Sequence, residues 1–373
     1  MRLGAGAVAI AALYGLSWLA LAPNRLLPGR PVAAPEALGL LAHAVAGFVA
    51  VASVLDGKAS RHAAAVGLLL AAMVLALVGT GLSAEALLEG RPPAARVSLG
   101  AGFWTAQAAI LLLALEHARA LRVRWMPGLV LASAAAVLAG GFAIGLFDHL
   151  SLVIEYKARL VPVHQAVRQH VALAAAALAL ALALALPLSW AAFRWPRIEA
   201  VANAALGAVQ ITPAIALFGL LVPLMAALLA AAPALRDFGI GAVGPAPALI
   251  GVALYVALPL LRGLLSGLRT TDPAVVEAAQ AMGMTHARTV IEVRIPLGLP
   301  ILIGALRVAA VQSIGLVTLG GLIGAGGLGA IVFEGMSQLA ADLILLGAIP
   351  IVGLALAVDA GMAWINRLLR FAP

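Results

Sequence analysis

The chain has 373 residues, 64% hydrophobic and 10% charged, with a mean hydropathy of +1.12. Ordinary globular chains are about 45–50% apolar and about 25% charged, so this composition excludes a soluble domain and implies a membrane protein. Cysteine is absent, which removes disulfides, iron-sulfur clusters and thiolate chemistry together. The net charge of +8 comes from basic residues set singly between apolar runs, which points to loops retained on one side of a bilayer and to no nucleic-acid partner.

Taken in chain order, stretches free of formal charge mark candidate spans at 3–24, 37–55, 62–84, 97–115, 125–147, 171–193, 200–235, 238–261, 308–333 and 343–358. A spanning helix needs about 17–25 apolar residues, so the windows predict an all-α integral membrane protein of about ten transmembrane helices. The first run resembles a signal peptide but is too long for one and meets Pro23 at its end; it predicts an uncleaved anchor. The window 200–235 holds Pro213, Pro223 and Pro233 and predicts one crossing near 201–222, then an irregular or re-entrant piece. With the N-terminus inside, 14 basic residues, Arg370 among them, fall on the cytoplasmic side and eight outside, so the positive-inside rule predicts both termini in the cytoplasm.

The chain divides into an accessory region of about five helices, 1–150, and a second five-helix region, 151–373. Between their spans, "FDHLSLVIEYKARLVPVHQAVRQH" is the longest polar stretch and predicts a linker with His164 and His170 solvated on the outer side. The seven histidines show no metal-ligand spacing, and Trp18, Trp104, Trp125, Trp190, Trp195 and Trp364 fall mainly at span ends, the ordinary interfacial belt.

Residues 324–329, "GAGGLG", spell G-x-G-x-x-G, but what precedes them is a membrane helix rather than the strand a dinucleotide site requires. Gly324, Gly326, Gly327 and Gly329 read either as a tight turn between packed helices or as part of a solute path. No phosphate-binding G-x-x-x-x-G-K-[ST] loop occurs and the only lysines are Lys58 and Lys157, so this chain is expected to bind no cofactor. Any ATP and Mg belong to a partner. Gln210, Thr212 and Pro213 at a proline break, with Gln312, Ser313 and Thr318, are polar groups inside spans. Such groups either bond a neighbouring helix or line a path. Arg307 lies within a span and needs an acceptor, for which Asp359 on the last helix is at a matching depth.

The loop 269–296 is too ordered for a plain connector. Asp272 suits an N-cap, Pro273 the first helical position and Gly283 a C-cap; a second helix from Thr285 to about Arg294 should stop before Pro296. Two short helices joined at a glycine make a rigid knob that can pass force from a soluble partner into the bundle.

At this loop the residues resemble a known family. Glu277-Ala278-Ala279, Gly283, then Val293-x-Ile295-Pro296 are similar to the EAA signature, E-A-A-x3-G-x9-I-x-L-P, of permease subunits of ABC importers. Residues 165–373 resemble the osmoprotectant group of these permeases, and the preceding helices look like the added membrane region of the Yeh-type member. The resemblance implies an ABC type I importer permease core in a bacterial inner membrane, without catalysis of its own. It implies a cytoplasmic ABC ATPase dimer docked on Glu277, Ala278, Ala279, Gly283 and Pro296. A periplasmic or lipid-anchored substrate-binding protein and a second permease subunit, identical or related, would complete the machine. Glycine betaine or choline is the implied solute. Methionine and sulfonate importers share the signature, so these solutes stay open as alternatives. An ion-coupled secondary transporter using Asp359 or Glu334 and an integral membrane enzyme are rival classes, and the EAA loop argues against both.

Overall fold

The computed structural model describes residues 2–25 and 27–369; Arg370, counted above with the basic residues, lies outside them. The chain divides into two compact units, residues 1–158 and 159–373. Both are built mainly of helices, and seven helices among the described residues are long and apolar enough to cross a membrane. Three shorter apolar helices accompany them: Arg2–Gly15, Leu40–Val54 and Gly327–Ser337.

The first unit contains α1 (Arg2–Gly15), β1 (Ser17–Ala22), β2 (Arg30–Ala33), α2 (Ala34–Leu38), α3 (Leu40–Val54), α4 (Ala59–Leu88), β3 (Arg96–Leu99), α5 (Ala101–Ala120), α6 (Met126–Ala143) and α7 (Ser151–Ala158). The strands correct two expected spans. The window 3–24 is a helix only to Gly15 and then extends as β1, and the window 97–115 opens as β3 before α5 begins. β1 is central in an antiparallel sheet, with Leu19 facing Val32 on one side and Leu99 on the other. "SWLALA" is apolar throughout, so its period does not separate strand from helix. Pairing with segments far along the chain decides it.

Trp18 departs from the interfacial belt and is wholly buried. Its Nε1 donates to Thr80 Oγ1 at 2.9 Å, the Thr80 hydroxyl donates onward to the Ala76 carbonyl, and the Phe103 ring meets the indole edge-on at 5.4 Å. An indole N–H taken out of water needs such a partner. Around it one continuous hydrophobic core joins α1, α3, α4, α5 and the sheet through Leu13, Leu19, Val45, Leu69 and Ile110.

The second unit contains α8 (Leu160–Arg194), α9 (Pro196–Ile211), α10 (Ala214–Ala231), α11 (Pro245–Arg269), α12 (Pro273–Ala281), α13 (His286–Thr289), α14 (Ile295–Gly320), α15 (Gly327–Ser337) and α16 (Ala341–Leu369). α8 absorbs much of the expected polar linker. His164 is exposed on it, but His170 is fully buried, contrary to its expected solvation, because that turn of α8 faces α14 and its Nε2 lies 3.0 Å from the Ile314 carbonyl.

The crossing expected near 201–222 is also corrected. The helix breaks at Thr212, held extended at φ −66° and ψ 128°, and the membrane-length helix is α10, which follows the break. Pro213 disfavours the helical region for the residue before it. Pro296 behaves otherwise: a π turn over Val290–Arg294 widens the backbone, Ile295 keeps helical angles, and the helix runs on from His286 to Ile323 instead of ending. The second helix expected to stop near Arg294 is therefore the start of a span.

Candidate functional site: a helical knob and a polar break

The knob is shaped by local capping chemistry. Asp272 Oδ1 accepts from the Ala274 amide at 2.8 Å and starts α12; Thr285 Oγ1 accepts from the Arg288 amide at 3.4 Å and starts α13. Gly283, at φ +87°, ends α12, with its amide bonded to the Gln280 carbonyl and the Met284 amide to the Ala279 carbonyl. This paired arrangement satisfies the last carbonyls of a helix and requires a left-handed residue, which glycine supplies without strain.

Ala279 is buried beneath the knob, while Glu277, Ala278, Gly283 and Pro296 are exposed. Met282, at the turn, is 78% exposed and adds an apolar contact that motif spacing does not mark. The base is fixed by Arg294, whose Nη1 donates to the Leu268 carbonyl at 2.9 Å and whose guanidinium lies 5.4 Å from the centre of the Phe193 ring. Beside it, Arg269 forms a two-bond ion pair with Glu199 at 2.7 and 2.8 Å, and that pairing holds the Glu199 carboxyl below the usual range.

The intramembrane polar residues separate into two groups. At the Pro213 break, Gln210 Nε2 donates to the Tyr255 carbonyl at 2.8 Å, and the Tyr255 hydroxyl donates to the Thr212 carbonyl. Both acceptors need these donors: Pro259, four residues after Tyr255 in α11, has no amide hydrogen to offer it, and Thr212 stands where α9 ends. The Thr212 hydroxyl turns back to Ala208 O at 3.0 Å. Gln210, Tyr255, Gln312, Gly315 and Leu316 line a hollow of about 470 Å³. Ser313 is not part of it; it is buried and bonded to Ala309 O at 2.8 Å.

The second group gathers at the glycine turn. Gly324, Gly326 and Gly327 have φ of +80°, +78° and +69°, and a Cβ on Gly329 would lie 2.0 Å from the Thr318 carbonyl oxygen. Thr318 Oγ1 itself is buried without a hydrogen-bond partner. Gln169 on α8 clamps the turn, its Nε2 donating to Ala325 O at 3.0 Å and its Oε1 accepting from the Gly327 amide at 3.1 Å. The G-x-G-x-x-G spacing thus serves a close-packed turn.

Arg307 and Asp359 are joined by two hydrogen bonds of 2.6 Å between α14 and α16. Gln169, His170 and Tyr255 were not singled out as site residues from the sequence. For Tyr255 a signal was present, since a proline four residues later in a helix marks a carbonyl in need of a donor.

A multi-pass helical bundle with proline-broken spans and a capped knob on one loop has the architecture of a membrane transport component. The family described as the binding-protein-dependent transport system inner membrane component matches residues 183–371, and the chain belongs to it. The N-terminal domain of the ABC transporter permease YehY matches residues 2–153. Among curated relatives, the carnitine transport permease protein OpuCB of Listeria monocytogenes is 35% identical over 166 residues, covering 44% of this chain and 69% of that protein. The osmoprotectant import permease protein OsmW of Salmonella typhimurium is 37% identical over 147 residues, covering 39% and 63%. The glycine betaine/carnitine/choline permease protein OpuCD of Bacillus subtilis is 30% identical over 208 residues, covering 56% and 84%. The protein is therefore a permease subunit of an ABC importer, a multi-pass component of the inner membrane.

Proposed function

We propose that this permease imports a small osmoprotectant, glycine betaine or choline, driven by a separate ATPase pair that carries the ATP and Mg. The observation that carries the proposal is the knob: two capped helices joined at Gly283, presenting Glu277, Ala278 and Met282 outward from the start of a membrane helix. Such a surface receives a partner's cleft and is rigid enough to transmit its motion. Similarity to permeases named for osmoprotectants supports the solute class. A second permease subunit and a separate solute-binding protein complete the complex, with both termini and the knob on the cytoplasmic face. Residues 1–150 form the accessory region and 151–373 the transporting core. The polar break and the glycine turn lie along the solute path, and the Arg307–Asp359 pair is structural, each half-exposed side chain offsetting the other's charge between α14 and α16.

The test is uptake of labelled glycine betaine by vesicles containing this chain, its ATPase, the binding protein and any second permease. ATP-dependent uptake is expected, and Gly283→Asp should reduce it at least tenfold while the complex still assembles, because it places a charge on the docking face and strains the left-handed turn that joins the two short helices. Uptake driven by an ion gradient without the ATPase would overturn the proposal, as would full uptake by Gly283→Asp.

A further inference from the structure

The geometry points to the hollow at the Pro213 break as an intramembrane solute site that accepts a zwitterion carrying a carboxylate and disfavours a bare organic cation. Gly315 keeps the hollow open and Gln312 sets its charge preference. This inference rests on the transport reading above and adds to it the place and the chemistry of solute contact.

Among the described residues, no charged side chain lines the hollow. A net charge in a membrane interior without a counter-charge is costly, so a cation such as choline has only the Tyr255 ring and neutral acceptors there, and no anionic group, to offset its desolvation. A zwitterion has zero total charge, and its carboxylate accepts amide hydrogens. Those donors are available on both walls. The Gln210 amide uses one hydrogen on the Tyr255 carbonyl, and a primary amide carries two. Across from it, Gln312, Gly315 and Leu316 occupy positions i, i+3 and i+4 of α14 and so share one helix face. Gln312 is exposed there, and Leu316 offers apolar surface to methyl groups. Uncharged donors hold a carboxylate without trapping it, which passage requires.

Gly315 has a specific place in this wall. A Cβ built on it meets nothing within 4 Å, so a larger side chain would enter the hollow and meet no steric resistance from the protein. Glycine inside a helix also lowers helix stability by about 1 kcal/mol relative to alanine.

Two variants test the site in vesicles with the ATPase and binding protein unchanged. Gly315→Leu is expected to abolish uptake of glycine betaine with the complex assembled. Gln312→Glu, which adds a carboxylate at nearly constant shape, is expected to raise the ratio of choline to glycine betaine uptake about tenfold over the wild-type ratio. Because the binding protein is the same in each case, a changed ratio reports the permease. Wild-type rates by Gly315→Leu, or an unchanged ratio in Gln312→Glu, overturn the inference while ATP-driven uptake by the wild type leaves the transport reading standing. If Gly315→Leu fails to assemble, the ratio measured with Gln312→Glu decides alone. Wild-type uptake that needs no ATPase overturns the transport reading instead, and the Gln312→Glu ratio still reports on the site.

Discussion

The two units treat the helix in opposite ways. Among the described residues, the first unit has helix prolines only in the first turn, Pro35 of α2 and Pro127 of α6, whereas the second carries Pro187, Pro223, Pro259, Pro300 and Pro350 in the interiors of five of its long helices. The first has one connected core that includes a hydrogen-bonded tryptophan at its centre. The second has several smaller clusters, one gathered around Phe218 and Val252 and another around Leu258 and Leu261, with polar clasps at its helix breaks. A single interdigitated core resists deformation because any shift disturbs many contacts at once. Separate clusters joined by broken helices permit each to move as a body. By this contrast the first unit is built to keep its shape and the second to change it.

The contrast breaks most readily at Trp18. Trp18→Ala should destabilise the first unit by about 3–5 kcal/mol, since it opens a cavity and removes the donor to the Thr80 hydroxyl oxygen; the measurement is the thermal midpoint in detergent. A midpoint within a degree of the wild type would show that this core is not the rigid element described. Pro259→Ala sharpens the other half. It returns an amide hydrogen to the Tyr255 carbonyl, so the second unit should gain stability by up to about 3 kcal/mol while the initial rate of uptake falls. Undiminished uptake would mean that this break is dispensable for movement.

The smallest effect is expected at Glu199. Its carboxyl is held below the usual range chiefly by its hydrogen bonds from Arg269. A depressed folded value means that the pair stabilises the fold above the unfolded carboxylate's pKa and loses that contribution as pH falls through the folded one. Glu199→Gln should therefore flatten the acid side of a stability profile below about pH 4.5 and change stability at neutral pH by under about 1 kcal/mol. A neutral-pH loss several times larger would show the pair fastening the knob's base more firmly than a half-exposed contact does.

Local chemistry was legible in the sequence, as was the one distant pair that charge in a membrane demands, Arg307 with Asp359, whereas strand pairing and distant burial were not. The start of α12 at Pro273 and its turn at Gly283 follow from capping rules that involve residues a few places apart. The need for an acceptor near Arg307 follows from charge in a membrane. By contrast, β1 is set by partners at Arg30–Ala33 and Arg96–Leu99, which nothing within "SWLALA" announces. The burial of His170 depends on α14, 144 residues away in sequence. Pro296 misled for a subtler reason: the rule that a proline stops a helix assumes regular α geometry, and the π turn before it removes that assumption.

That same turn makes the knob and the glycine turn two ends of one object. The helix from His286 to Ile323 has 38 residues, about 57 Å at 1.5 Å per residue. On the proposed reading, a partner's push on the knob would reach the glycine turn along this one helix, which carries Pro300 in its interior. The widened turn at Val290–Arg294 is then where such a helix would be expected to twist first, a fulcrum written into the backbone.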